Sequence, residues 1–285
     1  MLKDYVKLSR PKHWIKNIFV LMPAPFALAS GAELDPLRFG LGLLAFCCAN
    51  SAVYSFNDAQ DVERDRLHDE KRNRPVASGR VSVAAAYLWS FLLVIAGSAM
   101  AVGSGSISAV VIFGLYLLSN LFYSLKGKNI PLLDVFLLSF FFLLRFLLGC
   151  ALLAVEPSNW LLLCSYCLAL FLALAKRRAD ILKGLDENHR PSLMGYNQGF
   201  LDQAMGITAS MTILAYAIYC IDAEILISGR EFVSLPFVVF GVMEYLRKAH
   251  VDGAGGNTVD MLLNSPTLVL VGLGWLAGVL WSVGF

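Results

Sequence analysis

Nine stretches of this chain are apolar enough that only a protein core or a lipid bilayer could receive them. They run at about 14–30, 36–57, 82–101, 106–123, 131–154, 159–175, 203–221, 232–246 and 266–284. Each comes near the ~17–25 residues a helix needs to cross the hydrocarbon core, with the first and eighth short. Composition agrees: 58% of the residues are hydrophobic and 15% charged, where soluble domains carry about 25% charged residues. The expectation is an all-α integral membrane protein of about nine transmembrane helices. No linker or low-complexity stretch divides it, so residues 1–285 form a single domain. The six cysteines all lie in apolar runs and read as small buried hydrophobes, Cys164-x-x-Cys167 included.

The charges are sorted. Of the 23 basic residues, all but Arg38, Arg145 and Arg230 fall in the N-terminal tail or in the segments after the second, fourth, sixth and eighth runs. The positive-inside rule then puts the N-terminus and the charged loops in the cytoplasm, and an odd number of spans puts Phe285 outside. The first run holds Lys16, Asn17, Pro23 and Pro25 and lacks a small-residue cleavage pattern. It therefore reads as a kinked helix beside a polar cavity rather than a cleaved signal. Charged segments at 57–80 and 176–193 suggest two similar helical halves. Net charge is only +2, and nothing points to a nucleic-acid partner.

The most informative segment follows the second run: Asn57-Asp58-x-x-Asp61-x-x-x-Asp65, continuing to Arg72, Arg74 and Pro75. On a helix Asn57, Asp61 and Asp65 recur every four residues and Asp58 lies three before Asp61, so their side chains share one face. Crowded carboxylates repel unless a cation lies between them. Mg²⁺, which takes a few carboxylates together with the oxygens of a diphosphate, suits such a set. Asn57, Asp58, Asp61 and Asp65 are the expected metal ligands, with Asp69 a lesser candidate. Arg72 and Arg74 are placed to grip phosphate bidentately. The alternative is a solvated loop of mixed charge.

Three further groups carry chemistry. Arg10-Pro11-Lys12-His13-Trp14-x-Lys16-Asn17 opens the first run, with Lys12 and Lys16 on one helix face. Lys16 is the expected catalytic phosphate contact, with Lys12 and Asn17 beside it; snorkelling lysines and an interfacial Trp14 are the bland alternative. Tyr123-Ser124-x-Lys126 precedes Asp134 and Arg145, eleven residues apart within the fifth run, so both can face one interior. Ions inside a membrane segment are usually functional or paired. Lys176-Arg177-x-x-Asp180, with Arg190-Pro191-Ser192 and Tyr196 downstream, follows the sixth run, and Asp180 could add a ligand to the metal. Gly253-x-Gly255-Gly256-Asn257 follows no strand and reads as a loop.

The acidic motif, the nine runs and the polar loops together resemble the UbiA prenyltransferase superfamily. That resemblance implies a helical bundle around a central cavity, with Mg²⁺ and a diphosphate at its cytoplasmic end, in a multi-pass protein of the cell (inner) membrane. Arg10-Pro-Lys-x-Trp-x-Lys16-Asn17, Tyr123-Ser124-x-Lys126 and Lys176-Arg177-x-x-Asp180 look most like the decaprenyl-phosphate phosphoribosyltransferases within it. Prenyltransferases carry a second Asp-x-x-x-Asp motif after the sixth span. Here Gly184 stands four residues after Asp180, and the region holds Lys and Arg instead.

The resemblance implies Mg²⁺-dependent transfer of 5-phosphoribose from phosphoribosyl diphosphate to a polyprenyl phosphate. Lys12, Lys16, Lys126, Arg145, Lys176 and Arg177 are available for its phosphate groups. Asn17, Asn57, Arg72, Arg74, Tyr123, Asp134, Asp180 and Arg190 complete the expected substrate contacts. Prenyl transfer and transport of a phosphorylated lipid are the alternatives, and a homo-oligomer is allowed.

Overall fold

The computed structural model describes residues 2–67, 71–184, 191–253, 261 and 264–284, all helix, turn or coil with no strand among them. Phe285, Asp69, Arg190 and most of the 253–257 glycine-rich loop lie outside the described residues. The chain forms two compact units, and the helix Leu133–Leu153 contributes to both. One comprises Met1–Met22, Glu33–Leu125 and Leu144–Val155; the other comprises Pro23–Ala32, Lys126–Leu143 and Glu156–Phe285.

In the first unit α1 (Leu2–Ser9) leads into a 3-10 segment, Pro11–Val20. The second unit's α2 is Ala24–Ala29. The first apolar run is therefore not one helix. Pro11, Pro23 and Pro25 lack the N–H that a helix interior requires, and the chain breaks between Val20 and Ala24. The long α3, Pro36–Gln60, starts where Asp35 accepts the N–H groups of Leu37 and Arg38, with Pro36 in the first turn. It passes through Asp61 into the short α4, Val62–Arg66. α5 (Val83–Gly103) and α6 (Ile107–Leu125) complete the unit, α5 starting where Ser82 accepts the Ala85 N–H.

α3 is the unit's central helix, packed by α1, the 3-10 segment, α5 and α6. Its approach to α5 is close because small residues meet there. A Cβ on Gly97 would lie 3.1 Å from the Ala45 carbonyl oxygen and 2.9 Å from Phe113, and Ser90 on α5 donates to the Ala52 carbonyl at 2.8 Å. Such interfaces suit membrane helices, where association rests on close backbone approach. At one end, Leu8, Ala59, Val62, Val76, Val81 and Ala86 form an apolar plug. Val76 and Val81 reach it because residues 71–81 fold back as a compact turn, tied by Val81 N–H to Pro75 O and Ser78 N–H to Arg74 O.

The second unit is built on α8 (Asn159–Leu182) against α9 (Gln198–Asp222), with α10 (Leu235–Val251) on α9 and α11 (Pro266–Val283) on α10. Ser158, Asn197 and Ser265 cap α8, α9 and α11. The core holds Phe171, Leu174, Leu201, Met205 and Tyr245. The remaining long helix, α7, is Leu133–Leu153.

Seven of these helices (α3, α5 to α9 and α11) are long and apolar enough to cross a membrane. Phe91, Leu118, Ile207, Leu214 and Leu270 stand exposed on them, as lipid-facing residues do. α10, in the eighth run, has 17 residues and carries Glu244, Arg247 and Lys248 in its last two turns. The chain is thus an integral, multi-pass, all-helical protein.

Gly97→Val should lower stability by about 1–3 kcal/mol, because the added methyls have only the Ala45 backbone and Phe113 to displace. Thermal unfolding in detergent reads this directly; an unchanged midpoint would contradict the α3–α5 approach described.

Candidate functional site

The acidic motif lies where α3 hands over to α4. Asp61 N–H donates to Asn57 O at 2.9 Å and Asp65 N–H to Asp61 O at 2.8 Å. The i to i−4 pattern thus runs on through the junction and keeps Asn57, Asp58, Asp61 and Asp65 on one side. Asp58 and Asp65 are 2% and 3% exposed, which is costly for carboxylates unless they are paired. They are paired by arginine. Arg10 donates to Asp58 Oδ1 at 2.5 Å. Arg74 donates to Asp65 Oδ2 at 2.5 Å and also reaches Asp58 Oδ1 at 3.3 Å. Asp61 is half-buried. The Asn57 Oδ1 is buried with no hydrogen-bond partner.

Two segments bring the arginines in. The folded 71–81 turn carries Arg74, while Arg80 donates to Asn73 O at 2.8 Å and to Asp4 Oδ1 at 3.0 Å. Arg10 comes from the link between α1 and the 3-10 segment. Ser51 on α3 fixes that link: its hydroxyl donates to Ser9 O at 2.8 Å and accepts Trp14 Nε1–H at 2.9 Å. Trp14 is therefore an anchor on α3, not only a belt residue. Arg10 has φ 48° and ψ 58°, a left-handed conformation that an arginine before proline rarely adopts. Its guanidinium lies 4.7 Å from the Tyr54 ring centroid, and Lys16 Nζ donates to the Tyr54 hydroxyl at 3.2 Å. Burial lowers the Arg10 pKa from its ordinary value, against the pull of Asp58.

Deeper in the same unit, Arg145 is 3% exposed. It donates from Nε to Asn17 Oδ1 at 3.0 Å and from its terminal nitrogen to the Tyr116 hydroxyl at 2.9 Å. Asn17 Nδ2 donates to Cys47 Sγ at 3.3 Å, so both ends of that amide are engaged and Asn17 acts here as a brace for Arg145. Tyr116 passes its own proton to Asn50 Oδ1 at 3.3 Å.

A separate ionic cluster belongs to the second unit. Asp134, fully buried, accepts Arg177 Nε–H at 2.8 Å, the Ser192 hydroxyl at 3.0 Å and the Tyr196 hydroxyl at 2.5 Å. Arg177 also donates to Asp180 Oδ2 at 2.9 Å. Tyr196 OH in turn accepts the Leu132 N–H at 2.7 Å, where Leu132 has φ 64°. The sequence spacing places Asp134 and Arg145 toward one interior, but each has its own partners: Asp134 with Arg177, Arg145 with Asn17 and Tyr116. These bonds make Asp134 the buried counter-ion of Arg177.

Lys12, Arg72, Lys126 and Lys176 are exposed, Tyr123 is buried, and Arg190 lies outside the described residues. Spacing alone did not assign Arg10, Tyr54, Ser192 or Tyr196. The cue for Arg10 is Pro11, whose ring disfavours the helical region at Arg10 and so marks a break between α1 and the first apolar run. All six cysteines are free, five of them buried.

The oxygen set fits a hard divalent cation: two buried carboxylates, the half-buried Asp61 and the partnerless Asn57 Oδ1. Among the described residues no three His, Cys, Asp or Glu side chains converge tightly enough to hold a metal by themselves. Mg²⁺ bound partly through substrate phosphates does not need such a cage.

Residues 17–243 match the UbiA prenyltransferase family. A decaprenyl-phosphate phosphoribosyltransferase of Corynebacterium glutamicum is 30% identical over 98% of this chain and 86% of its own length. One from Mycobacterium tuberculosis is 30% identical over 100% of this chain and 96% of its own. Among solved structures, a UbiA homologue from Archaeoglobus fulgidus bound to GPP and Mg²⁺ superposes with a TM-score of 0.77 at 20% identity, covering 99% of this chain and all of that one. A digeranylgeranylglyceryl phosphate synthase reaches 0.71 at 20% identity, covering 99% and 98%.

Asp134→Asn should cost about 3–5 kcal/mol, because it leaves the buried Arg177 short of its main counter-ion. Asp180→Asn, at the rim, should cost much less. Unfolding midpoints of the two variants in detergent make the comparison. Lost turnover with an unchanged midpoint for Asp134→Asn would make Asp134 a substrate contact instead.

Proposed function

The chain belongs to the UbiA prenyltransferase family, and on that premise we propose that it transfers 5-phosphoribose from phosphoribosyl diphosphate to a polyprenyl phosphate, releasing diphosphate. Membership and the named relatives make it a membrane transferase, which sets aside the lipid-transporter alternative. The finer reading adds a nine-span topology, a cytoplasmic N-terminus, an inner-membrane location and an active site on the cytoplasmic face.

The diphosphate end of this reading rests on one geometric observation: Asp58 and Asp65 lie buried beneath Arg10 and Arg74, with the Asn57 Oδ1 left without a partner. The donor and acceptor rest on the two phosphoribosyltransferases matched along nearly the whole chain. Gly184 in place of a second motif acid also separates this chain from the prenyl-transfer pattern.

Asn57, Asp58, Asp61 and Asp65 would hold Mg²⁺. When bound, the ion neutralises a diphosphate and makes it a better leaving group. The rest falls to side chains. Lys16, steadied on the Tyr54 hydroxyl, and Arg74 bind phosphate oxygens and hold the donor in position. Arg145, fixed by Asn17 and Tyr116, supplies a permanent positive charge, with Lys12 as a further phosphate ligand. The bond from the anomeric carbon to the diphosphate oxygen breaks, and the electron pair leaves with diphosphate. A bond from that carbon to an oxygen of the lipid phosphate forms on the opposite face. The acceptor is already ionised near neutral pH, so no general base is required. Positioning and fixed charge carry the catalysis.

Purified protein with Mg²⁺, a polyprenyl phosphate and ribose-labelled phosphoribosyl diphosphate should move label into the organic phase. EDTA should stop the transfer, and Asp61→Ala should cut it by about a hundredfold or more while leaving the fold intact. Activity only with a prenyl diphosphate and an aromatic acceptor would overturn the reading in favour of prenyl transfer. Undiminished turnover in Asp61→Ala would remove the metal role assigned to that residue.

A further inference from the structure

Arg10 is strained, half-buried and bonded to a residue that the proposed reaction needs for another purpose. Arg10 at 2.5 Å and Arg74 at 3.3 Å share Asp58 Oδ1, so both of its lone pairs are taken and that oxygen has no acceptor site left for a metal. The accessibility of the partners is unequal: the Asp58 side chain is 2% exposed, while those of Arg10 and Arg74 are 20% and 28% exposed. The acids form the floor and the arginines cover them from the open side.

Resting on the reading of this site as a metal–diphosphate site, we propose that Arg10 is an exchangeable counter-ion. It neutralises Asp58 until a diphosphate arrives, then transfers its hydrogen bonds to the phosphate oxygens and frees Asp58 as an oxygen ligand.

Charge supports the exchange. Asp58 and Asp65 with Arg10 and Arg74 make a neutral set. A divalent cation alone would add two positive charges beside two guanidinium groups, with only the half-buried Asp61 set against them. A diphosphate supplies acceptors for both guanidinium forks in their preferred bidentate geometry. Metal and diphosphate are therefore expected to bind together, each poorly without the other.

The surroundings supply the means. The Tyr54 ring offers Arg10 a flat surface at 4.7 Å that holds a cation without a directional bond, so the guanidinium can pivot on it. The backbone at φ 48° is held by Ser51 through Ser9 and Trp14 on either side, which fixes where the side chain starts. Strain of this kind is found where the surrounding structure over-determines a residue. The closed Asp134 cluster differs: its carboxylate is met by Arg177, Ser192 and Tyr196 together, and its guanidinium is only 1% exposed.

The test uses the full chain in detergent with Mn²⁺ and inorganic pyrophosphate as probes. Free Mn²⁺ is counted by electron paramagnetic resonance, and pyrophosphate binding at fixed Mn²⁺ is followed by calorimetry. Arg10→Gln should bind Mn²⁺ alone about tenfold more tightly than the unmodified protein, and pyrophosphate about tenfold more weakly, each the worth of one charge-assisted hydrogen bond. Arg10→Gly should behave alike, and it keeps the measurement possible should Arg10→Gln fail to fold, since glycine accepts φ 48° without strain. Unchanged or weaker Mn²⁺ binding in these variants, with the unmodified protein binding both probes normally, overturns the exchange and leaves the site intact. Tighter Mn²⁺ with unchanged pyrophosphate binding overturns it too, since the guanidinium then never reaches the phosphate. If the unmodified protein binds neither probe, the metal–diphosphate reading falls and the exchange with it.

Discussion

Two carboxylates almost sealed from solvent at the end of a membrane helix cannot stay ionised without cations beside them. Much of the first unit is arranged around that requirement. Asp58 and Asp65 are turned inward because the helical hydrogen bonding runs on through Asp61 from α3 into α4. Their counter-charges come from far along the chain, Arg10 from before the first apolar run and Arg74 from the turn beyond α4. Placing those two guanidinium groups takes the Ser51 anchor, the apolar plug of Leu8, Val76 and Val81, and the folded turn at 71–81.

The second unit meets the same physical demand differently. Asp134 and Arg177 are both buried, and three donors from two chain segments surround the carboxylate. Removing one partner from such a cluster is expensive, whereas keeping it costs little once every lone pair is used. The contrast is between a charge pair enclosed on every side and one whose arginine remains partly exposed. It also explains why the short 3-10 turn Pro191–Gly195 is held against the start of α7: Ser192 within it bonds Asp134, and Tyr196 just after it bonds both Leu132 and Asp134.

Much of the fold was legible in the sequence. The run at 82–101 became α5 because Ser82 caps it, and that at 106–123 became α6. The run at 159–175 became an α8 that continues to Leu182 and carries Arg177 and Asp180 on the same helix. Hydropathy cannot see that continuation, since it tracks the lipid rather than the hydrogen bonds. The first run was harder. Its prolines announced a kink, but not that helix would stop altogether between Val20 and Ala24. The acidic motif was visible because a four-residue period needs only local geometry. Arg10 stands within its motif, but spacing cannot assign its role, because its pairing with Asp58 spans 48 residues and depends on a left-handed turn. Tyr196 was missed for the same reason, its bond to Asp134 spanning 62 residues. Spacing reveals which side chains share a face and is silent on which distant segment covers that face.

The most direct measurement is anomalous diffraction from crystals grown with Mn²⁺ and phosphoribosyl diphosphate. An anomalous peak within ligating distance of Asn57, Asp58, Asp61 or Asp65, with diphosphate density against it and Arg10 turned from Asp58 to the phosphate, is the predicted result. A diphosphate bound elsewhere, or a peak absent from the α3–α4 junction while Arg10 and Arg74 still hold the two carboxylates, would contradict it.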